Sequence, residues 1–161
     1  MKYILINRTK ISNKKIRQFI QHSWPKGLKK CRIILSYEYG DYEWRGDAKQ
    51  FSKNKIKTIR IFIQKNKIKF PRMINNTSTV WAGYSPIFII RNKDEVLVSL
   101  IAHELRHIWQ TEVSKINFLR SRICEFIDST GENRISLYKM EKDACSFSKR
   151  KLLQWRKSTK I

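Results

Sequence analysis

His103-Glu104-Leu105-Arg106-His107 lies inside an otherwise amphipathic stretch, Asp94 to Glu112, and no other segment of this 161-residue chain so narrows what can be built around it. On a helix, side chains four residues apart stand one above the other on the same face, so both imidazoles can reach a single cation. Glu104, about 100° further round the helix, falls beside that cation and can take a proton from a water there. H-E-x-x-H on a helix is therefore the spacing of a zinc site with a carboxylate base next to it. With three histidines and eight glutamates in the whole chain, chance would produce the pattern in roughly three sequences per thousand.

Projecting the stretch at about 100° per residue sorts its side chains. Leu97, Val98, Ile101, Leu105, Ile108 and Trp109 form one broad apolar arc. Glu95, Ser99, His103, Arg106, His107 and Gln110 fall opposite, with Glu104 at the border, so the histidines are expected to face a polar cleft and not the packed core.

A catalytic zinc takes three protein ligands and keeps one position for water. The one remaining histidine, His22, lies in a basic N-terminal segment, which turns attention to carboxylates. Residues 134–156 read as a helix with Leu137, Tyr138, Met140, Ala144, Cys145, Phe147, Leu152 and Trp155 on its apolar arc and Glu141 in the middle of it. A carboxylate buried in an apolar stripe is costly unless a cation compensates it. Zn2+ bound by His103, His107 and Glu141 supplies that cation; the alternative is a salt bridge to a Lys or Arg. Asp143, with Lys139, Lys142, Lys149 and Arg150, projects onto the solvent side.

His103-Glu104-x-x-His107 followed by Glu141-x-x-Ala144-x-x-Phe147-Ser148, with Leu152-Leu153 behind, resembles the gluzincin type of zinc metallopeptidase over about residues 80–155. Its small single-domain members and the peptidases that cleave phage repressors are the nearest likeness. The resemblance implies Glu104 as general base, Ala144 as the small residue that lets the second helix approach the first, and a substrate strand pairing with the sheet edge just before the active-site helix. Val80 to Ile90 occupies that place, which makes Trp81 and Tyr84 candidates to line the substrate channel. Where some members carry Asp or Asn four residues after the ligand glutamate, this chain has Cys145. Tyr138, Arg106, Gln110 and Cys145 are the candidates for stabilising the transition state or supporting the ligands.

The remaining sequence predicts an α+β chain forming one zincin-like domain over residues 1–161, with a basic sheet-containing half (1–91) and a helical half (92–161). Lys2 to Asn7, Cys31 to Tyr39, Thr58 to Gln64 and Val80 to Arg91 read as extended pieces of a small mixed or antiparallel sheet. Gly40-Asp41 and Gly46-Asp47 carry turn chemistry. Ser12 is a natural cap for a helix to about His22, with Ile16, Phe19 and Ile20 inward and Trp24-Pro25-Lys26-Gly27 ending it. Further helices are expected at about 94–112, 115–128 and 134–156, with a break at Ser129-Thr130-Gly131.

Three cysteines without C-x-x-C spacing argue against a disulfide framework or a cysteine zinc site. No segment is long and apolar enough for a membrane span, and a cytoplasmic protein is expected. The formal charge is +22, of which +17 falls in residues 1–91. The expected partner is a protein or peptide substrate. Nucleic acid held by the basic half is the alternative, either in a DNA-associated protease or in a binding protein whose zinc is structural, with Cys145 as its fourth ligand.

Overall fold

A computed structural model of the chain describes residues 1–38, 45–49, 57–64, 70, 72–74, 88–113 and 134–159. Their order is β1 (Lys2–Arg8), α1 (Asn13–Ser23), β2 (Lys30–Glu38), β3 (Arg45–Lys49), β4 (Thr58–Gln64), β5 (Arg72–Ile74), β6 (Phe88–Ile90), α2 (Lys93–Glu112) and α3 (Arg134–Ser158). The fold is mixed α/β. The expected helix at 115–128, the break after it and the Gly40-Asp41 turn lie outside the described residues.

The main sheet runs β1-β2-β4-β3. β1, β2 and β4 are parallel, with Leu5 beside Ile33 and Ile33 beside Ile59. β3 closes one end antiparallel to β4, with Ala48 beside Ile59. The sheet is thus mixed, and the joining segment between β2 and β4 contributes a strand of its own. Gly46-Asp47, expected to turn, is instead strand; the space available at Gly46 explains the glycine, as described below. Parallel strands need a crossover, and α1 supplies it between β1 and β2. Ser12 caps α1 by accepting from the Lys15 amide at 3.2 Å, and Gly27 takes the positive φ of 90° that turns the chain toward β2.

Of the extended piece expected just before α2, β6 pairs antiparallel with β5 in a two-stranded ladder, and residues 80–87 lie outside the described residues. Among the described residues the main sheet ends in β1 and β3.

Helix α2 is the centre of the molecule. Leu97, Val98, Ile101, Leu105 and Ile108 share one core with Ile16, Phe19 and Ile20 of α1 and with Ile33, Leu35, Ile59 and Ile61 of the sheet. The opposite face of α2, read from sequence as a polar cleft, is covered by α3, and Glu95, Ser99, His107 and Gln110 are buried there; Glu104 and Thr111 are buried toward the sheet side. Ala144 is fully buried, which is how α3 comes close. Burial of so many polar groups is tolerable only because they are bonded. At the start of α2, Asn92 caps the Glu95 amide at 3.0 Å, and Glu95 accepts from the Arg91 amide at 2.8 Å. Glu95 also accepts from Arg156 of α3 at 2.7 and 2.9 Å, and Arg156 donates to the Ile89 carbonyl, so one guanidinium ties α3 to α2 and β6. Among the described residues no helix is long and apolar enough to cross a membrane.

Candidate metal centre

The i, i+4 spacing does what the projection requires. His103 and His107 turn their Nε2 atoms to within 3.0 Å of each other, and Glu141 of α3 reaches both, with Oε2 at 3.2 Å from His103 Nε2 and Oε1 at 3.1 Å from His107 Nε2. For metal–ligand bonds of about 2.0–2.1 Å, the edge of a tetrahedron is about 3.3 Å. The three side chains are therefore spaced as ligands of one small tetrahedral cation would be, two nitrogens and a carboxylate, the donor set that suits zinc.

Electrostatics at the cluster follow from packing. Burial alone would raise the Glu141 carboxyl pKa, but hydrogen bonds and charge from both histidines outweigh it and hold it well below the usual carboxylate range. For His103, burial disfavours the charged ring; the hydrogen bonds with Cys145 and Glu141 and the charges of Glu104 and Glu141 overcome that, leaving its pKa well above the ordinary histidine value. The site is thus built to attract positive charge.

Cys145 also falls close enough to count, with His103 and Glu141, as a third donor. Its Sγ, however, lies 3.7 Å from His103 Nδ1, the ring nitrogen on the far side from Glu141. A sulfur on Nδ1 and a carboxylate on Nε2 address opposite edges of the imidazole, so Cys145 contacts the His103 ring from the side away from Glu141. Cys31, by contrast, is fully buried in the core, and desolvation pushes its thiol up to about 12.

Glu104 is buried against β3. A Cβ built on Gly46 would lie 2.5 Å from Glu104 Cγ and 2.6 Å from its Cδ. Only a glycine at position 46 leaves room for the carboxylate where it is.

The other candidates sort differently. Gln110 is fully buried beside the site, its Oε1 3.0 Å from His107 Nδ1. Arg106 is committed elsewhere: its Nε and Nη2 donate to Asp143 at 2.7 and 3.1 Å, and its guanidinium stacks 3.7 Å from the Trp109 ring centroid. Asp143 was placed on the solvent side by projection and is instead half-buried against α2, because Glu141 and Asp143 flank the two rims of the α2–α3 seam whose middle is Ala144. Tyr138 belongs to α3, but its side chain, like the whole of Trp81 and Tyr84, lies outside the described residues. Sequence reasoning passed over Gly46 and Asp143. The signal for Asp143 was available in Gln110, one turn after His107 on the same face and in need of a partner once buried.

No family model matches this chain, and neither the curated proteins nor the solved structures contain a match.

Proposed function

We propose that the chain is a zinc-dependent peptidase in which His103, His107 and Glu141 hold the metal and Glu104 is the general base. The observation that carries this reading is the meeting of two imidazole Nε2 atoms and one carboxylate within 3.0–3.2 Å, on a helix that also carries the Glu between the histidines. A zinc ion, when bound, supplies a Lewis acid that brings the pKa of water toward neutrality and polarises a carbonyl. Glu104 takes the proton from the attacking water and returns it to the departing amine, which needs a carboxylate held in place yet unprotonated. β3 is one end strand of the main sheet and lies against Glu104 at Gly46. An extended peptide adding to that edge would run past the base, so β3 joins residues 80–90 as a candidate substrate edge.

The test is Glu104→Gln. The variant should keep fold and zinc while cleavage of a peptide library falls by about 10²–10⁴-fold, and chelator should abolish wild-type cleavage. Undiminished cleavage by the variant removes Glu104 as base.

One observation favours a second reading. The sheet face turned away from α1 and α2 carries Lys2, Arg8, Lys30, Arg32 and Arg60, interleaved with Ile4, Ile6, Ile34 and Phe62, with Glu38 and Asp47 as the acidic register positions. Such a face fits nucleic acid, with affinity falling steeply as salt rises, because releasing the phosphate counterions then gains less. Absence of binding to a DNA or RNA fragment at low salt would dismiss it.

A further inference from the structure

Gln110 is an amide with a nearly forced orientation. Its Nε2 lies 2.9 Å from the Met140 carbonyl oxygen and 2.8 Å from Asp143 Oδ2. A carbonyl can only accept. Asp143 receives an Arg106 N–H donor on each of its two oxygens, so it too is an acceptor. Both groups demand the amide nitrogen, which carries two N–H donors, and the amide oxygen must then point the other way. It points to His107 Nδ1, 3.0 Å distant. An amide oxygen accepts only, so Nδ1 must carry a hydrogen, which leaves Nε2, the atom that faces Glu141 and His103, as the ring nitrogen that can offer a lone pair to a cation.

We propose that Gln110, held by Asp143 and the Met140 carbonyl, is a positioning residue that fixes the proton of His107 on Nδ1 and so presents Nε2 to the metal. The idea rests on the zinc reading for its purpose but not for its geometry. It assigns a role to three groups of this chain: Arg106 holds Asp143, Asp143 holds Gln110, and Gln110 holds the histidine. His107 is supported from its own helix, three residues on, while His103 is supported by Cys145 from α3. A misplaced Nδ1 proton would leave the ring free to rotate or to offer the wrong nitrogen, and loss of such an outer partner weakens metal binding by about 10–100-fold.

Two measurements test it. In metal-free wild-type protein labelled with 15N-histidine, long-range 1H–15N correlation reads which nitrogen of His107 carries the hydrogen-bonded proton. A proton on Nδ1 is expected, and an Nδ1 lacking it overturns the proposal whether or not zinc binds. Zinc affinity by chelator competition is then compared for Gln110→Met, which offers His107 no acceptor, and for Asp143→Asn, whose amide oxygen can still accept from Gln110 Nε2 and so leaves Gln110 Oε1 on His107 Nδ1. The expected result is a loss of about 10–100-fold for the first and an affinity within a few-fold of wild type for the second. Equal zinc affinity in Gln110→Met and wild type overturns the proposal, as does equal loss in both variants, which would make Gln110 mere cement between the helices. A wild type that binds no zinc while keeping the Nδ1 proton on His107 overturns the metal reading and leaves the proton assignment standing.

Discussion

Gly46→Ala places one methyl group against the proposed base, and its effect can be worked out from the structure. The backbone at Gly46 is ordinary strand, so the only objection to a side chain is space. The new Cβ would sit 2.5 Å from Glu104 Cγ, whereas carbon atoms rest at about 3.5–4.0 Å; Glu104 or β3 must give way by about 1 Å. Overpacking of this kind costs about 1–3 kcal/mol. Without the clash, alanine in place of a strand glycine should be stabilising by about 0.4–1 kcal/mol through the unfolded chain. Gly46→Ala is therefore expected to destabilise the wild type and to be neutral or stabilising in a Glu104→Ala background, an inversion of sign that a double-mutant cycle by urea denaturation reads as a coupling of about 1 kcal/mol or more. Where peptide cleavage is measurable, displacing the base by about 1 Å should cost about a hundredfold in rate. Equal destabilisation by Gly46→Ala in both backgrounds would refute the idea that position 46 is glycine because of Glu104.

Glu141→Gln should weaken zinc binding by more than the roughly 10–100-fold typical of outer partners, whereas Cys145→Ala should stay within that range; equal and complete loss in both would make Cys145 a ligand and the site a closed, structural one. Arg156→Met should lower stability by about 1.5–3 kcal/mol at neutral pH, the usual size of hydrogen bonds to a charged group, read by thermal or urea unfolding. Glu95 gives this pair a pH signature: burial raises its pKa, but Arg156 and the Arg91 amide more than offset that, so its folded pKa lies below the unfolded one. The stabilisation is complete above the unfolded value of about 4.3 and is lost as pH falls through the folded value. Arg156→Met should flatten the acid limb of the stability profile, and an unchanged limb would mean the clamp contributes nothing.

Much of the helical half was legible because helices announce themselves locally. Ser12 and its 11-residue helix, the 20 residues of α2 and the 25 of α3 follow from caps and from a period of 3.6. The trio His103, His107 and Glu141 was legible for the same reason, since two of its members share a helix face and the third is an acid in an apolar stripe. Strand partnership was not legible. The parallel β1-β2-β4 order and the antiparallel β3 depend on contacts between residues far apart in sequence, and Gly46-Asp47 reads as a turn to any local rule because the reason for the glycine, Glu104, is 58 positions away in the chain. Projection also misjudged exposure. It sorted α2 into an apolar and a polar face correctly, but a polar face is not an open one when a second helix brings partners for it, as Asp143 and Arg156 do.

Those partners explain why Glu141 arrives beneath the histidines at all. Along α2, Glu95, Ser99, His103 and Gln110 meet Arg156, Ser148, Cys145 and Asp143 in turn, so the two helices run antiparallel. Each bond joins a buried or half-buried polar group to one chosen residue of the other helix. A slip of α3 by one turn, about 5.4 Å, would keep most of the apolar contact, because the stripe of Met140, Ala144, Phe147 and Leu152 nearly repeats itself at that interval. The polar pairs do not repeat. Such a slip would take from Glu95, Gln110 and the Ser148 hydroxyl their partners on the other helix, at about 1–3 kcal/mol for each group, with no polar pair in the new register to replace them. Hydrophobic burial therefore brings α3 against α2, and the ladder of polar bonds decides which turn of α3 faces His103 and His107. The register that delivers Glu141 is set from both ends of the helix, at Arg156 and at Asp143, by residues that need not touch a metal.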